Sequence, residues 1–179
     1  VILSGDKKQT VKFDSTSSTF NILELKNTSF DGVYFNSPAI NAAKLIKNNT
    51  KIGVNGIGIL GFTLTEDTVI EGDVYLVADT LDLNGFNLKI SGNLYVGGGV
   101  LKINGGSLDV SGDLRIQSLT FKEDNTIASY NGSQAILQMN NEEDKIIVGR
   151  DFIMSSNKDH EGYLTNGVLE IKHNFCQYS

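Results

Sequence analysis

One cysteine (Cys176), one proline (Pro38) and two histidines in 179 residues exclude several kinds of protein at the outset. A lone thiol cannot close an internal disulfide, nor can it assemble a cysteine-based zinc site. Positive charge is also short: 15 Lys and Arg against 21 Asp and Glu leave a formal charge of −6 and a pI near 4.8. That is the wrong sign for a protein that neutralises phosphates or hugs an anionic membrane, so nucleic acid is not expected as a partner. No stretch reaches the ~18 consecutive apolar residues of a spanning helix, so membrane insertion is not expected either. The chain opens at Val1 without a basic-then-apolar leader, which reads as a mature protein or an excised piece whose targeting signal lies elsewhere.

What is present is 40% hydrophobic residues, only 20% charged ones, 19 glycines, and many Asn, Ser, Thr, Val, Ile and Leu. This mixture favours short strands joined by tight turns, within one domain or one stretch of a longer repeat.

Internal repetition organises the chain. Leu81-Asp-Leu-Asn-Gly-Phe-Asn-Leu-Lys-Ile-Ser-Gly-Asn-Leu-Tyr-Val96 aligns without a gap on Leu101-Lys-Ile-Asn-Gly-Gly-Ser-Leu-Asp-Val-Ser-Gly-Asp-Leu-Arg-Ile116, 20 residues later. The signature aliphatic, any, Gly, Asp or Asn, aliphatic or Phe begins at Ile70, Ile90 and Val110. It returns in altered form at Val148 and Ile171, with Arg150 and His173 in the glycine position. Its spacings are 20, 20, 38 and 23, so residues 110–148 hold either a second degenerate turn or a large excursion. Within each repeat apolar and polar residues alternate, giving one inward and one outward face. Strands this short bury nothing unless the next copy stacks on them, and ~20 residues per turn suits a β-helix.

Stacking at that offset brings charges into register at the ~4.8 Å strand spacing. Asp82 should face Lys102, and Lys89 should face Asp109. Tyr75, Tyr95 and Arg115 should form one outward column, and Asp73, Asn93 and Asp113 another in which an amide separates two acids. Opposite signs in register are the choice of a stacked structure, because like charges directly opposite destabilise by up to about 1 kcal/mol. Asn84, Gly85, Asn104 and Gly105 fall where the alternation breaks, as corner residues that tolerate positive φ. Gly92 and Gly112 take the corner positions ahead of the Asx column.

The expected fold is therefore all-β, a single-stack β-solenoid with one polar excursion loop. We expect a right-handed coil, although nothing in the residues fixes the hand. Residues 1–179 make one domain: irregular N-terminal coils over 1–66, regular coils over 67–116, a loop or degenerate coil over 117–134, and C-terminal coils over 135–179. In the first part, Phe20–Leu25, Gly32–Phe35, Ile52–Val54 and Phe62–Leu64 read as strands. Residues 38–47 could instead form a short helix, with Pro38 in its first turn and alanines following.

Candidate chemistry is sparse. Asp159, His160 and Glu161 could ligate a metal, and Asn140-Asn-Glu-Glu-Asp144 could hold calcium. The latter lacks both the alternating acids and fixed glycine of an EF-hand and the glycine-rich repeat of calcium β-rolls, so both read more simply as polar turns. Gly97-Gly-Gly99 lacks the helix start and lysine of a phosphate loop. Asp73, Asp113 and Arg115 are the nearest approach to a lyase or hydrolase constellation, but Asx residues after a turn glycine are explained by local hydrogen bonding. No catalytic residue, metal or cofactor is assigned. Asn-x-Ser/Thr triplets occur at Asn27, Asn48 and Asn131, as chance allows in an Asn-rich chain.

The stretches Val1-Ile-Leu-Ser-Gly-Asp-Lys-Lys-Gln-Thr-Val-Lys-Phe13, Phe20-Asn-Ile-Leu-Glu-Leu-Lys-Asn27, Thr80-Leu-Asp-Leu-Asn-Gly85 and Gly162-Tyr-Leu-Thr-Asn-Gly-Val-Leu-Glu-Ile171 resemble tandem units of very large secreted or surface proteins of Gram-positive anaerobes. The likeness covers nearly the whole chain. In that family a unit ends at Gly-Asp-Phe-x-Gln, where this chain has His173-Asn-Phe-Cys-Gln177. The resemblance implies an adhesive, matrix-forming or spacer-like repeat at the cell surface or outside the cell. The expected partners are other copies of the repeat, in tandem or as a head-to-tail polymer. A glycan ligand on Tyr75, Tyr95 and Arg115 is the alternative, and a polysaccharide lyase or hydrolase the remote one.

Overall fold

The computed structural model describes residues 1–12, 20–35, 39, 40, 42–46, 50, 52–54, 57–122 and 127–178. Among these the chain is all-β, with parallel sheets stacked as a β-solenoid. A complete turn contributes a strand to each of three walls in order. The first wall holds Ile2–Gly5, Phe20–Asn27 and Ala42–Ile46, then Thr80–Asp82, Val100–Lys102 and Ile136–Gln138. The second is an eight-stranded sheet running from Gln9–Val11 to Val168–Ile171. The third runs from Ala39–Ile40 through Val74–Ala78, Leu94–Val96 and Leu114–Phe121 to Phe175–Gln177.

The repeat period sets the register. Leu88 pairs with Thr68 below and Leu108 above, and Leu81 with Leu101, each 20 residues away in sequence. Averaged over the coil the spacing widens to about 23 residues. The extra length comes from the less regular coils at either end and from one insertion. Alternation then fills the interior with unbroken apolar columns. Ile70, Ile90, Val110 and Val148 make one; Val74, Leu94, Leu114 and Phe152 make another; Leu81, Leu101 and Leu137 make a third. Every member is essentially inaccessible to water, and each such side chain stabilises by about 1.5–3 kcal/mol relative to exposure.

Val110 pairs directly with Val148, so the 38-residue interval contains no additional coil. It contains an excursion instead: Leu114–Phe121 overruns the third wall and returns antiparallel through Ile127–Gly132 as a β-hairpin. Of the two readings open for residues 38–47, the described ones are strands and not the alternative helix. Ala39–Ile40 pairs with Ile57–Leu60, and Ala42–Ile46 pairs with Phe20–Asn27. Local alanine propensity is a weak preference that ladder hydrogen bonds from both neighbours override. Pro38 lies outside the described residues.

Candidate functional site

The corner between the second and third walls carries a continuous polar array among the described residues. Asp73 stands at the third-wall side of that corner, and each later turn sets another Asx residue above it. The backbone N–H of Asn93 donates to Asp73 Oδ1 at 2.7 Å, that of Asp113 to Asn93 Oδ1 at 2.8 Å, that of Asp151 to Asp113 Oδ1 at 3.2 Å, and that of Asn174 to Asp151 Oδ1 at 3.0 Å. Thus the expected three-residue column is a ladder of five Asx residues, in which the side-chain oxygen of each of the first four accepts a corner amide of the turn above.

The ladder explains the glycine before each Asx. A Cβ on Gly92 would sit 2.3 Å from Asp73 Oδ1 and 2.6 Å from the Gly72 carbonyl oxygen, and one on Gly112 would sit 2.3 Å from Asn93 Oδ1. Where the glycine is replaced, the new side chain turns to the acid below. Arg150 Nε lies 3.7 Å from Asp113 Oδ1, and His173 Nδ1 lies 2.5 Å from Asp151 Oδ1. The His173 hydrogen bond, reinforced by the Asn174 backbone N–H, holds the Asp151 carboxyl below its ordinary range.

The opposite corner is built similarly. Asn84 and Asn104 both adopt φ of 50° and are followed by Gly85 and Gly105 at φ of 83° and 80°. Asp82 Oδ1 accepts the Asn84 backbone N–H and the Asn104 amide. Higher up, the buried Asp144 accepts N–H groups from Gly105, Asn140 and Asn141. The acidic 140–144 segment is thus organised as a turn clamp. His160 has both nitrogens engaged. Nε2 accepts the Leu137 backbone N–H at 3.1 Å, which leaves Nδ1 to donate to the Lys158 carbonyl at 2.9 Å. Asp159 accepts the Glu161 backbone N–H. Among the described residues no three His, Cys, Asp or Glu side chains gather as metal ligands. Gly97–Gly99 leads directly into the strand Val100–Lys102.

The expected ion pairs form: Lys102 to Asp82 at 3.4 Å and Lys89 to Asp109 at 3.7 Å. Tyr75, Tyr95 and Arg115 lie in register as read from the sequence. What the sequence did not reveal is that the hairpin folds back over them. The Leu119 N–H donates to the Tyr75 hydroxyl at 3.2 Å, and Phe121 lies 5.9 Å from the Tyr75 ring. Tyr130 sits 6.2 Å from the Tyr95 ring and takes the Arg115 guanidinium over its own face at 4.5 Å. Arg115 is further bound to Asp113 and Gln117. Only 5% of Tyr95 stays accessible, and burial, followed by the nearby Asp73 charge, pushes its phenol far above the usual tyrosine range. The polar, turn-rich composition of residues 117–134 signalled departure from the coil; nothing in it signalled the surface to which the segment would return.

Of the Asn-x-Ser/Thr triplets, Asn27 is buried. It donates to the Lys7 carbonyl and to Gln9 Oε1 while accepting the Ser29 N–H, so it cannot carry a glycan in the folded chain. Asn48 lies outside the described residues, and Asn131 is exposed on the hairpin.

The two ends differ from the flanks. At the C-terminal end the inward columns finish at Leu169, Ile171 and Phe175, the last 55% exposed, beside Leu164 and Val168 at 42% and 56%. At the N-terminal end Leu3 and Val11 are only partly covered, and Val1 and Ile2 are exposed. Comparison with family models, with curated proteins and with solved structures returned no match.

Proposed function

We propose that the chain is a non-catalytic structural or adhesive module of an extracellular or cell-surface protein or fibre, continued at its ends by further coils of the same kind. The observation that carries this reading is a contrast within the molecule. On the flank, the ladder acids Asp73, Asp113 and Asp151 are bound to backbone N–H groups, and Asp113 also to Arg115 and Arg150. Between turns, each coil covers the parallel strand edges of the one before it and continues the same dry interior. Such edges template the addition of another strand, and a solenoid gains stability from every coil stacked on it.

The glycan alternative needs Tyr75, Tyr95 and Arg115 open, whereas Phe121 and Tyr130 already pack on that column. A sugar ring would have to displace the hairpin first.

The test is sedimentation velocity over a concentration series, with negative-stain electron microscopy of the same samples. We expect rods of constant width that lengthen with concentration. A monomer at every concentration would remove the reading. So would release of unsaturated or reducing sugars from a polysaccharide panel, if that activity is lost in folded Asp113→Ala protein.

A further inference from the structure

We infer that residues 156–165 form a pH-sensitive strap over the edge of the first wall, latched by the neutral His160 ring and released when that ring takes a proton. The inference does not rest on the module reading, because the strap lies within the coil and has coil strands on both sides of it in sequence.

The strap fills a wall position that has no strand. Between Phe152–Met154 of the third wall and Val168–Ile171 of the second, the chain passes over Ile136–Gln138, the final strand of the first wall among the described residues. It meets that edge in ladder fashion only through the isolated bridges of Ser156 with Ser133 and of Leu164 with Met139. Between the bridges, side chains take over the pairing that a strand's backbone would supply. Ser156 Oγ donates to the Ala135 carbonyl at 2.7 Å, and His160 Nε2 accepts the Leu137 N–H at 3.1 Å. Further along, the Tyr163 carbonyl accepts the Met139 N–H at 2.7 Å, and the Thr165 N–H donates to the Met139 carbonyl at 2.9 Å. Ala135, Leu137 and Met139 are buried, so their backbone groups need partners from within the fold.

Of these four fasteners only the imidazole changes its hydrogen-bonding capacity between about pH 5 and 8. Its Nδ1 donates to the Lys158 carbonyl at 2.9 Å, which puts the ring proton there and leaves the Nε2 lone pair for Leu137. A second proton can go only to Nε2. It would set N–H against N–H and leave the Leu137 amide without an acceptor. The closed strap therefore carries one proton fewer than the open one, so closure weakens as the pH falls through the imidazole range.

No nearby charge offsets that loss. On its own turn the charged neighbours are Lys158, Asp159 and Glu161, and Asp159 Oδ1 already accepts the Glu161 N–H. Ile136–Gln138 carries no charge, and Lys102 on the next strand is paired with Asp82. The turn over residues 140–144 brings Glu142, Glu143 and Asp144, the last committed to the N–H groups of Gly105, Asn140 and Asn141. Both ring nitrogens of His160 are taken by backbone groups, so the protonated ring has no carboxylate to hold it in this position. Release bares the edge of Ile136–Gln138, and a bare parallel edge accepts a further strand.

Hydrogen exchange of the Leu137 amide, corrected for the intrinsic effect of pH on exchange, reads the latch. Leu108, paired on both sides with Leu88 and Ile146, serves as the reference for an intact coil. We expect Leu137 protection to be full at about pH 7.5 and to fall toward about pH 5, by about tenfold for each pH unit once the ring protonates, while Leu108 keeps its own. In His160→Gln an amide oxygen that does not titrate can take the Leu137 N–H, so protection should be equal at the two pH values. His160→Ala should lack it at both, and His173→Gln should behave as the unmodified chain. Equal protection of Leu137 at both pH values in the unmodified chain would overturn the inference. So would a transition that persists in His160→Gln, disappears in His173→Gln, or is unaltered in His160→Ala. Should a His160 variant fail to fold, seen as lost Leu108 protection, the ring nitrogen shifts of His160 in the unmodified chain decide the matter. A proton on Nδ1 alone at neutral pH supports the latch, and a proton on Nε2 there refutes it.

Discussion

At the scale of single residues, the molecule is governed by how tightly one turn approaches the next at its corners. Gly92 is required by a neighbour in space, because Asp73 and the Gly72 carbonyl occupy the volume of its missing side chain. Gly92→Ala should therefore destabilise by about 1–3 kcal/mol, the usual cost of overpacking. Arg150→Gly, which restores the repeat residue and gives up one mostly exposed ion pair, should change stability by no more than about 1 kcal/mol. Urea denaturation of the two variants side by side checks the contrast. Asp151 offers a pH test. Its folded-state value lies below the ordinary 3.8, first through His173 and then through the Asn174 N–H, so the ionised form is the one that folding favours. The resulting stabilisation is complete above that ordinary value and is lost as the pH falls through the lower folded-state value. NMR titration should find the Asp151 carboxyl protonating at lower pH than a free aspartate, with faster exchange of the Asn174 amide once it does.

At the scale of elements, the hairpin of Leu114–Phe121 and Ile127–Gly132 has the largest effect that the repeat does not dictate. It spans three successive strands of the third wall by touching Tyr75 and Tyr95 and by emerging from the strand that carries Arg115. Burial beneath it keeps the Tyr95 phenol protonated well beyond the usual 10.0, with Asp73 and then Tyr130 adding to the effect. Since the folded-state value is raised, the contribution to stability is whole below pH 10.0 and declines as the pH climbs above it toward the folded-state value. Spectrophotometric titration should leave at least one of the six tyrosines un-ionised after exposed phenols have titrated. Tyr130→Ala should bring the late-titrating phenol to lower pH, because it removes both a cover and a coupled neighbour.

At the scale of the whole molecule, much was already determined by residue order. A period of 20 fixed which residues lie over one another, and alternation fixed which of them face inward, because neither depends on anything beyond neighbouring turns of the same chain. The pairs Asp82 with Lys102 and Lys89 with Asp109, the corner asparagines, and the succession of Asp73, Asn93 and Asp113 follow from that alone. Tertiary structure decided the rest. The signature had already put Asp151 and Asn174 in the Asx position; tertiary structure decided that the 38-residue interval is a single turn, so that Asp151 stacks directly on Asp113. It turned Ala39–Ile40 and Ala42–Ile46 into strands against their local preference, because ladder pairing outweighs the propensity of a few alanines. It also folded the hairpin back over a tyrosine column that, by sequence, faced water. These outcomes depend on contacts between segments whose separation follows no period, and such contacts exist only once the coil has formed and there is a surface to return to.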